Sequence, residues 1–394
     1  MGRWISLALG LFTLPAMAEE VDVSGFIALE TRYFFNDPVF PGQNDAPEGS
    51  LILNPEFRYD TDDGRHQFTF IPFLRQDSRD AKRSHGDIRE AWWLYLGDDW
   101  EILAGVNKVF WGVTESRHLV DIINQTDLVE DLDQEDKLGQ PMVQLSTLRD
   151  WGNISFFVLP GFRERTFPGI EGRLRNNPVI DTDNPLYESG SEEYHVDFAL
   201  RYAHTFDDFD VGAYWFNGTS REPRFVPNAD GSALRPLYEL IDQIGVDVQY
   251  TKDAWLLKFE GITRKGQGKT FNAAVGGFEY TYYQVFDSNA DVGLLFEYLY
   301  DGRDRNAPPT SFNDDIFFGL RLALNDVEDS SLLSGVVMDP DSGEHFLSFE
   351  AETRVGEDTT LEARLRTFHD AQPRDALRPF VEDDYLQLRL ASYF

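Results

Sequence analysis

The last twelve residues, "DDYLQLRLASYF" (Asp383–Phe394), alternate between an apolar and a polar face. Leu386, Leu388 and Leu390 lie on one face, and the residues between them are polar or mixed. A period of two residues is typical of a β-strand with one face against an apolar phase. The stretch fits either a strand of a soluble sandwich or a strand of a membrane barrel.

The first eighteen residues have the pattern of a secretory signal peptide. Arg3 gives a positive start, Trp4–Pro15 is apolar but too short to span a bilayer, and Ala16 and Ala18 supply small residues before a cleavage point. We therefore predict residues 1–18 as a signal peptide and residues 19–394 as a single domain. An anchor helix is the less favoured alternative because the apolar stretch is short.

The composition favours strands over membrane helices. The chain has 394 residues, a net charge of −34, no cysteine, and 32 Phe against 4 Met. After the signal peptide there is no run of about 18 apolar residues, the length that a membrane helix needs. Aromatic enrichment favours strands, and a barrel closed by its own hydrogen bonds needs no disulfides.

The alternating pattern continues through the chain and predicts 18 strands, one of them over Glu101–Gly112. Short turns rich in Asp, Asn and Gly alternate with longer connections, of which 113–140 and 161–194 are the longest. This alternation is typical of outer-membrane barrels, with short periplasmic turns and long extracellular loops. We predict an all-β, transmembrane antiparallel β-barrel of about 18 strands, with 16 as the alternative.

The same pattern predicts which residues face lipid. Leu294, Phe296, Tyr298 and Leu320 belong to the outward set, whereas Leu295 points into the barrel. We expect Arg to be tolerated better at Leu295 than at Phe296, because Leu295 would reach lumen water.

The terminal Phe394 resembles the C-terminal signature of Gram-negative outer-membrane barrels. The resemblance implies a location in the cell outer membrane and contacts with membrane lipid and lipopolysaccharide. It also implies recognition of Phe394 by the barrel assembly machinery. Nothing in the sequence suggests a nucleic acid as partner.

A second resemblance lies in "WGVTESRHLVDIINQTD" (Trp111–Asp127), which is similar to the "WGE…NP.D" segment of porin-like barrels of poorly known substrate. Some of those barrels are thought to act with inner-membrane exporters of hydrophobic molecules. Periplasmic or inner-membrane export partners are therefore implied as well. The present sequence departs from the pattern at Thr114 and Thr126.

The inward set of residues is nearly neutral, so most of the negative charge lies in loops and turns. Its acids are Glu30, Glu56, Asp197, Asp247, Glu260, Glu279, Glu297, Glu350, Glu352 and Glu362. Its bases are Arg32, Arg58, Arg75, Arg89, Arg201, Lys258, Arg321, Arg354, Arg364, Arg366 and Arg389. Two roles are open for these charges. They could pair across strands and maintain the round shape of the barrel, or some arginines could stay unpaired and guide an anionic solute.

The two longest loops are expected to fold into the barrel mouth. The first has an apolar middle (Leu119, Val120, Ile122 and Ile123) that should not lie in water. The second carries Arg163, Arg165, Arg173 and Arg175, and we expect these arginines to pair with the acids of Asp131–Asp136. We predict that Arg163 and Arg165 lie near the narrowest point of the pore, with Arg364 and Arg366 on the wall below. The predicted pore residues also include Arg173, Arg175, Arg32, Glu56, Arg58, Arg75, Arg89, Arg201, Arg321, Glu350, Arg354, Glu362 and Arg389.

No cofactor is predicted. Asp131, Asp133 and Glu135 have alternating spacing that could suit a metal, but the glycine of a calcium loop is missing. The acidic loops also suggest a saline habitat, or divalent cations bridging to lipopolysaccharide.

The sequence also argues against an enzyme. None of the seven histidines stands in the His-x-Ser arrangement of phospholipase barrels. A protease barrel with an Asp–His pair and an Asp pair remains open at His369–Asp370 and Asp383–Asp384. We predict an outer-membrane channel or substrate-specific porin for small solutes. The alternatives are an export component for hydrophobic molecules and a surface adhesin or structural barrel.

Overall fold

In the computed structural model, residues 21–372 and 376–394 are described, and they form a closed antiparallel barrel with a small extra sheet. The predicted signal peptide, residues 1–18, lies outside the described residues. Within the described ranges, no helix is both long enough and apolar enough to cross a membrane.

Eighteen strands make up the barrel. They are β1 (Asp22–Phe34), β2 (Glu48–Asp60), β3 (His66–Asp77), β4 (His85–Leu96), β5 (Trp100–Asn107), β6 (Gln140–Arg149), β7 (Gly152–Leu159), β10 (Asp197–Phe206), β11 (Phe209–Thr219), β14 (Leu240–Lys252), β15 (Trp255–Lys265), β16 (Phe271–Tyr282), β17 (Asp291–Asp301), β18 (Asp314–Ala323), β19 (Ser331–Met338), β20 (His345–Arg354), β21 (Thr359–His369) and β22 (Tyr385–Tyr393).

Each barrel strand pairs with its neighbours along the chain, and the last strand closes the ring on the first. β22 lies antiparallel to β1, with Leu390 opposite Leu29 and Ala391 opposite Ala28. Closure leaves no strand edge unpaired, which a spanning sheet requires in hydrocarbon. The prediction of 18 strands is confirmed.

The connections differ strongly between the two ends of the barrel. At one end lie eight short turns, such as 150–151 and 253–254, together with the start of β1 and the end of β22. At the other end lie the long connections, including 108–139 and 160–196. In outer-membrane barrels the short-turn end faces the periplasm and the long-loop end faces outside.

The outer surface of the barrel is apolar in the register that the sequence predicts. Leu294, Tyr298 and Leu320 are exposed on the outside. Phe296 lies between Phe278 and Phe318 in an outward row of rings, with centroid distances of 5.8 and 5.2 Å. Such a belt is the surface that an outer-membrane barrel presents to lipid.

Leu295 points inward as predicted, but it does not reach water. Its side chain is only 4% exposed and belongs to a buried cluster that includes Leu299 and Phe317. The expected contact of Leu295 with lumen water is wrong, because the lumen at this level is filled by packed side chains.

The structure also differs from the sequence prediction at β5, which ends at Asn107 rather than continuing to Gly112. The side chain of Asn124 accepts a bond from the Val109 amide and donates one to the Asn107 carbonyl, at 2.8 and 2.9 Å. These bonds turn the chain away from the wall, and the side chain that makes them is distant in sequence.

Four short strands in the long loops were not predicted. They are β8 (Val179–Ile180), β9 (Leu186–Tyr187), β12 (Arg224–Pro227) and β13 (Ala233–Tyr238). β13 pairs with the other three and joins the loop 160–196 to the hairpin that follows β11. This small sheet lies at the long-loop end.

Candidate functional site

The connection between β5 and β6, residues 108–139, runs through the lumen and is called the inner loop below. Glu260 on β15 holds its first part. The Glu260 carboxylate accepts bonds from the backbone amides of Val113, Thr114 and Val120 at 2.7, 3.0 and 3.1 Å. The Thr114 hydroxyl adds a fourth bond of 2.8 Å. One buried wall carboxylate therefore satisfies the polar backbone of a loop turn.

Glu297 on β17 has the same role one turn further along the inner loop. Its carboxylate accepts bonds from the amides of Glu115 and Ser116 at 2.7 and 2.8 Å, and from the Ser116 hydroxyl at 2.5 Å. Bonds to an ionised acceptor are stronger than bonds between neutral groups. The two wall glutamates therefore fix the path of the inner loop across the lumen.

The apolar middle of the inner loop is buried against the wall. Leu119, Val120, Ile122 and Ile123 are each at most 5% exposed and pack in one cluster with wall residues such as Phe216. Burial of these side chains removes apolar surface from water, which is the main force that docks the loop.

The two long loops touch each other, but not through the predicted ion pairs. The Thr166 hydroxyl donates to Asp127 at 2.6 Å, and the Arg165 Nε donates to Gln125 at 3.2 Å. The acids of the inner loop instead pair with the barrel wall. The prediction that Asp131–Asp136 would pair with Arg163–Arg175 is wrong, because each loop lies closer to wall charges than to the other loop's charges.

Asp131 and Asp133 of the inner loop contact two arginines of β21. Arg364 bonds Asp131 at 2.9 Å, and Arg366 lies 3.3 Å from Asp133. Burial opposes ionisation of Asp131, but Arg366, Arg32 and Arg364 outweigh it and lower its pKa to about 2. The two carboxylates predicted as weak metal candidates are thus already paired with guanidinium groups. Glu135 is exposed.

Arg366 also bonds Glu350 on the neighbouring strand β20 at 2.5 Å. This is the cross-strand pairing predicted for the dense charge patch of β20 and β21. Glu362 lies 3.6 Å from Arg389 on β22, so the patch extends across three strands.

The four arginines of the second long loop lie in different environments. Arg163 bonds Asp87 at 2.7 Å, and Arg173 bonds Asp383 at 2.8 Å. Arg175 donates only to backbone carbonyls, among them that of Pro41 at 2.9 Å. Arg165 bonds Gln125 and lines a cavity. The structure therefore does not bring all four to a single constriction.

A dense buried ion network occupies the wall of β1 to β4. Arg75 bonds Glu30 at 2.9 Å and also pairs with Glu130 of the inner loop. Arg89 bonds Asp127 of the same loop at 2.7 Å, and Arg32 donates to the Glu130 backbone. Breaking such a buried pair is costly because it leaves an uncompensated charge.

The remaining predicted wall arginines are paired as well. Arg201 bonds Asp247 at 2.8 Å, and Arg321 bonds Glu115 at 2.8 Å. Arg58 pairs with Glu56, and Arg354 bonds Asp329 at 3.0 Å near the short-turn end. The pairs of Arg201 and Arg321 join strands or reach the inner loop, whereas Arg58 pairs within β2 and Arg354 pairs with a turn residue. All four arginines thus have ion-pair partners, in line with the first of the two roles considered for these charges.

Sequence reasoning missed a second ion cluster around Glu222, in the connection after β11. Arg264 pairs with Glu222, Arg303 lies 3.2 Å from it, and Arg117 lies 3.8 Å from it. Burial opposes ionisation of Glu222, but the charges of these arginines hold its pKa well below the usual range. Strand alternation gives no information about a loop residue, so only the folded chain identifies this cluster.

A cavity of about 220 Å³ remains between the inner loop and the wall of β18 to β21. One side is an apolar wall made of Phe317, Leu333, Val337, Phe346 and Phe368. The opposite side is polar and includes Arg117, Arg165, Glu222 and Arg264. At roughly 10–15 Å³ per water, this volume holds more than ten water molecules and is large enough for a small organic solute.

Two glycines shape the apolar wall. Gly319 of β18 lies opposite Gly335 of β19. A Cβ atom would come within 2.7 Å of the Phe317 ring at Gly319, and within 2.3 Å of it at Gly335. The glycines therefore let the ring lie flat along the wall, which keeps the cavity open.

The acids considered for a protease site are engaged elsewhere. Asp383 pairs with Arg173, and Asp384 accepts a bond from the Phe368 amide at 2.8 Å. The rings of His345 and His369 are tilted at 38° with centroids 4.9 Å apart, and His345 lies 3.9 Å from Asp370. The aspartate pair is thus held by structural contacts at the mouth.

No protein-family model matches the chain, and no curated protein matches its sequence. Several solved structures share its fold. OccK11 (OpdR) of Pseudomonas aeruginosa has a TM-score of 0.52 at 11% identity, with 95% of each chain covered. OccAB3 of Acinetobacter baumannii has a TM-score of 0.52 at 10% identity, covering 95% of this chain and 99% of that one.

Wzi of Escherichia coli, described as a carbohydrate-binding β-barrel involved in group 1 capsule assembly, has a TM-score of 0.54 at 9% identity. That likeness covers 93% of this chain and 83% of Wzi. Identities this low establish a common fold only. The chain therefore has the porin-like barrel fold of the Gram-negative outer membrane, and its closed ladder and apolar belt make it a protein of that membrane.

Proposed function

We propose that the protein is an outer-membrane channel for small solutes, with the cavity beside the inner loop as its narrow, selective section. The observation that carries this proposal is the docking of the inner loop on Glu260 and Glu297, which leaves the space against the apolar wall. A loop held by buried carboxylates narrows a barrel without filling it. Among the residues predicted for the constriction, the proposal keeps Arg165 and Arg366, because both line this cavity.

Planar-bilayer recording of the purified protein tests the channel. We expect discrete ion currents in KCl, and a larger single-channel conductance after deletion of Leu119–Asp136. Deletion of Ala229–Gly231, in the hairpin between β12 and β13, removes loop residues away from the cavity and is the matched control. Absence of current from the intact protein would rule out the channel, and unchanged conductance after the inner-loop deletion would rule out the proposed narrow section.

A second candidate is a route for apolar molecules, which the apolar wall of the cavity favours. Phe317, Phe346 and Phe368 give the lumen a surface that water-filled pores lack. Uptake of an uncharged aromatic dye into cells that express the protein would support this candidate if bilayers containing the protein carried no ion current.

We also propose that the barrel assembly machinery recognises Phe394, and that lipid and lipopolysaccharide surround the folded barrel. Phe394 is exposed at the short-turn end, and its amide donates to the Gly25 carbonyl at 3.0 Å. Its side chain is accordingly accessible from the periplasm. Phe394→Ala should reduce the amount of folded barrel in the outer membrane, whereas Val355→Ala, at another exposed position of that end, should not.

A further inference from the structure

One acidic side chain of the cavity has no hydrogen-bond partner within the part of the chain that the structure describes. Glu344 lies just before β20, is only 4% exposed, and lines the cavity. Neither of its carboxylate oxygens has a hydrogen-bond partner among the described residues. A buried carboxylate is costly unless a charge or a donor compensates it. Glu344 therefore marks a place where the cavity lacks a positive group.

The described basic residues of the cavity have other acidic partners. Arg221 bonds Asp197 at 2.7 Å and Lys137 bonds Asp121 at 3.0 Å, while His118 and His345 lie 3.9 Å from Glu260 and Asp370. Arg366 bonds Glu350, Arg117 bonds Asp301 at 3.1 Å, and Arg264 pairs with Glu222. Arg165 has Gln125 as its hydrogen-bond acceptor and lies close enough to Glu222 to feel its charge. The charge that remains uncompensated next to the apolar wall is accordingly negative.

Aromatic side chains line the same cavity as Glu344. Glu344 and Phe346 are two residues apart at the start of β20 and both line the cavity. The ring of Phe346 packs on that of Phe368, with centroids 5.2 Å apart, and Phe312 and Phe317 line the same cavity. A carboxylate beside aromatic faces is the combination that recognises organic cations, through ion pairing and cation–π attraction.

Other acidic residues of the cavity and of the chain also favour a cationic ligand. Asp133 and Glu135 of the inner loop also line the cavity, and the chain carries a net charge of −34. An acidic cleft with low-dielectric walls concentrates cations and raises their rate of entry. Neither feature would favour an anionic solute at this wall.

We propose that the cavity binds an organic ammonium ion with an apolar or aromatic body, with Glu344 as its counter-charge and the apolar wall as the surface for its body. The proposal deepens the channel function and rests on it only for passage of the ligand. Binding itself requires only the folded barrel.

The test is isothermal titration of the full-length barrel, purified in detergent, with phenethylammonium chloride. We expect binding by the native protein and a loss of about tenfold in affinity for Glu344→Gln, since removal of a charge partner is worth at least that much. Phe346→Leu should weaken binding about two- to fivefold through loss of the aromatic face. Glu357→Gln, at an exposed turn of the short-turn end, should leave the affinity unchanged.

Three outcomes would overturn the proposal: no binding by the native protein, equal affinity of Glu344→Gln, or tighter binding of phenylpropionate than of phenethylammonium. KCl conductance of the same preparations separates these results from failure of the channel. If the barrel conducts ions but does not bind the amine, the proposed channel stands and the proposed ligand is wrong. If the barrel binds the amine but does not conduct, the ligand stands and the channel is wrong. Heat-modifiable migration of each variant establishes that the barrel has folded.

Discussion

The Oε1 atom of Glu260 lies 2.8 Å from the hydroxyl oxygen of Thr114, although the two residues are 146 positions apart in the chain. This contact joins the barrel wall to the inner loop at a buried position. The same oxygen also accepts the amides of Val113 and Thr114. The other carboxylate oxygen, Oε2, accepts the amide of Val120 at 3.1 Å. In a glutamine the NH2 group would replace one of the two oxygens and would face a donor in place of accepting from it.

Glu260→Gln should therefore loosen the inner loop. We expect a loss of about 1–3 kcal/mol in docking of the loop, because buried donors lose a charged acceptor. Hydrogen–deuterium exchange of residues 113–120 should accelerate. Glu362→Gln alters a wall glutamate whose ion-pair partners are Arg364 and Arg389, both on the wall, and should leave that exchange unchanged. Equal protection in both variants would mean that apolar packing alone holds the loop.

The orientation of the barrel can be tested with single cysteines, because the chain has none of its own. Asn184 lies in the long connection before β10, and Asp208 lies in the two-residue turn between β10 and β11. A membrane-impermeant maleimide added to intact cells should label a cysteine at Asn184 and spare one at Asp208. Labelling at Asp208 but not at Asn184 would mean that the barrel has the opposite orientation in the membrane.

On the lipid face, Phe296→Arg should destabilise the barrel by about 2–4 kcal/mol, the usual cost of a charge near mid-membrane. Leu295→Arg should be at least as harmful, because Leu295 is buried among side chains that leave no room or water for a guanidinium. Urea unfolding of both variants in detergent measures the two costs. Mild destabilisation at Leu295 would indicate a more open lumen than the structure has.

Charge reversal should have different effects at two arginines of the second long loop, on ion selectivity at one and on stability at the other. Arg165→Glu removes a positive charge that lines the cavity, so the reversal potential in a KCl gradient should shift towards cation selectivity. Arg163→Glu instead breaks a bond to Asp87 and should act mainly on stability, by about 1–3 kcal/mol. Arg235→Glu makes the same charge change in the small outer sheet and should affect selectivity little.

Selectivity should also depend on pH through the inner loop. Asp136 is open to lumen water, but the surrounding barrel still reduces its hydration, and this together with the charges of Glu130 and Asp131 raises its pKa to about 6. Burial and the charge of Asp131 raise the pKa of Asp133 well above the usual range. A raised carboxyl pKa means that these groups are neutral in mildly acidic solution and gain negative charge as the pH rises.

Cation selectivity should therefore increase between about pH 5 and pH 7, whereas ordinary carboxyl groups would already be ionised over that range. The contribution of these groups to stability has the opposite sense: it is present at low pH and decreases as the pH rises through about 6. Reversal potentials measured across the pH range check the change in cation selectivity. In the double variant Asp133→Asn with Asp136→Asn, selectivity should depend much less on pH. If the double variant showed the same pH dependence of selectivity as the native protein, other groups would be responsible for it.

The sequence by itself determined the number of barrel strands and the alternating direction of their side chains. Alternation is a local property, so Leu386, Leu388 and Leu390 indicate a strand with one apolar face without reference to any other part of the chain. That this face meets lipid follows from the alternation of short turns and long loops along the whole chain. The short turns likewise depend on the local preferences of Asp, Asn and Gly.

The tertiary structure alone decided which charges meet and where space remains. Arg364 pairs with Asp131, which is 233 positions away in the chain, and Thr114 bonds Glu260, which is 146 positions away. Such pairs form because the curvature of the closed sheet brings distant residues to one lumen, and no local pattern carries that information. Glu344, which has no hydrogen-bond partner among residues 21–372 and 376–394, is likewise identified only in the folded chain.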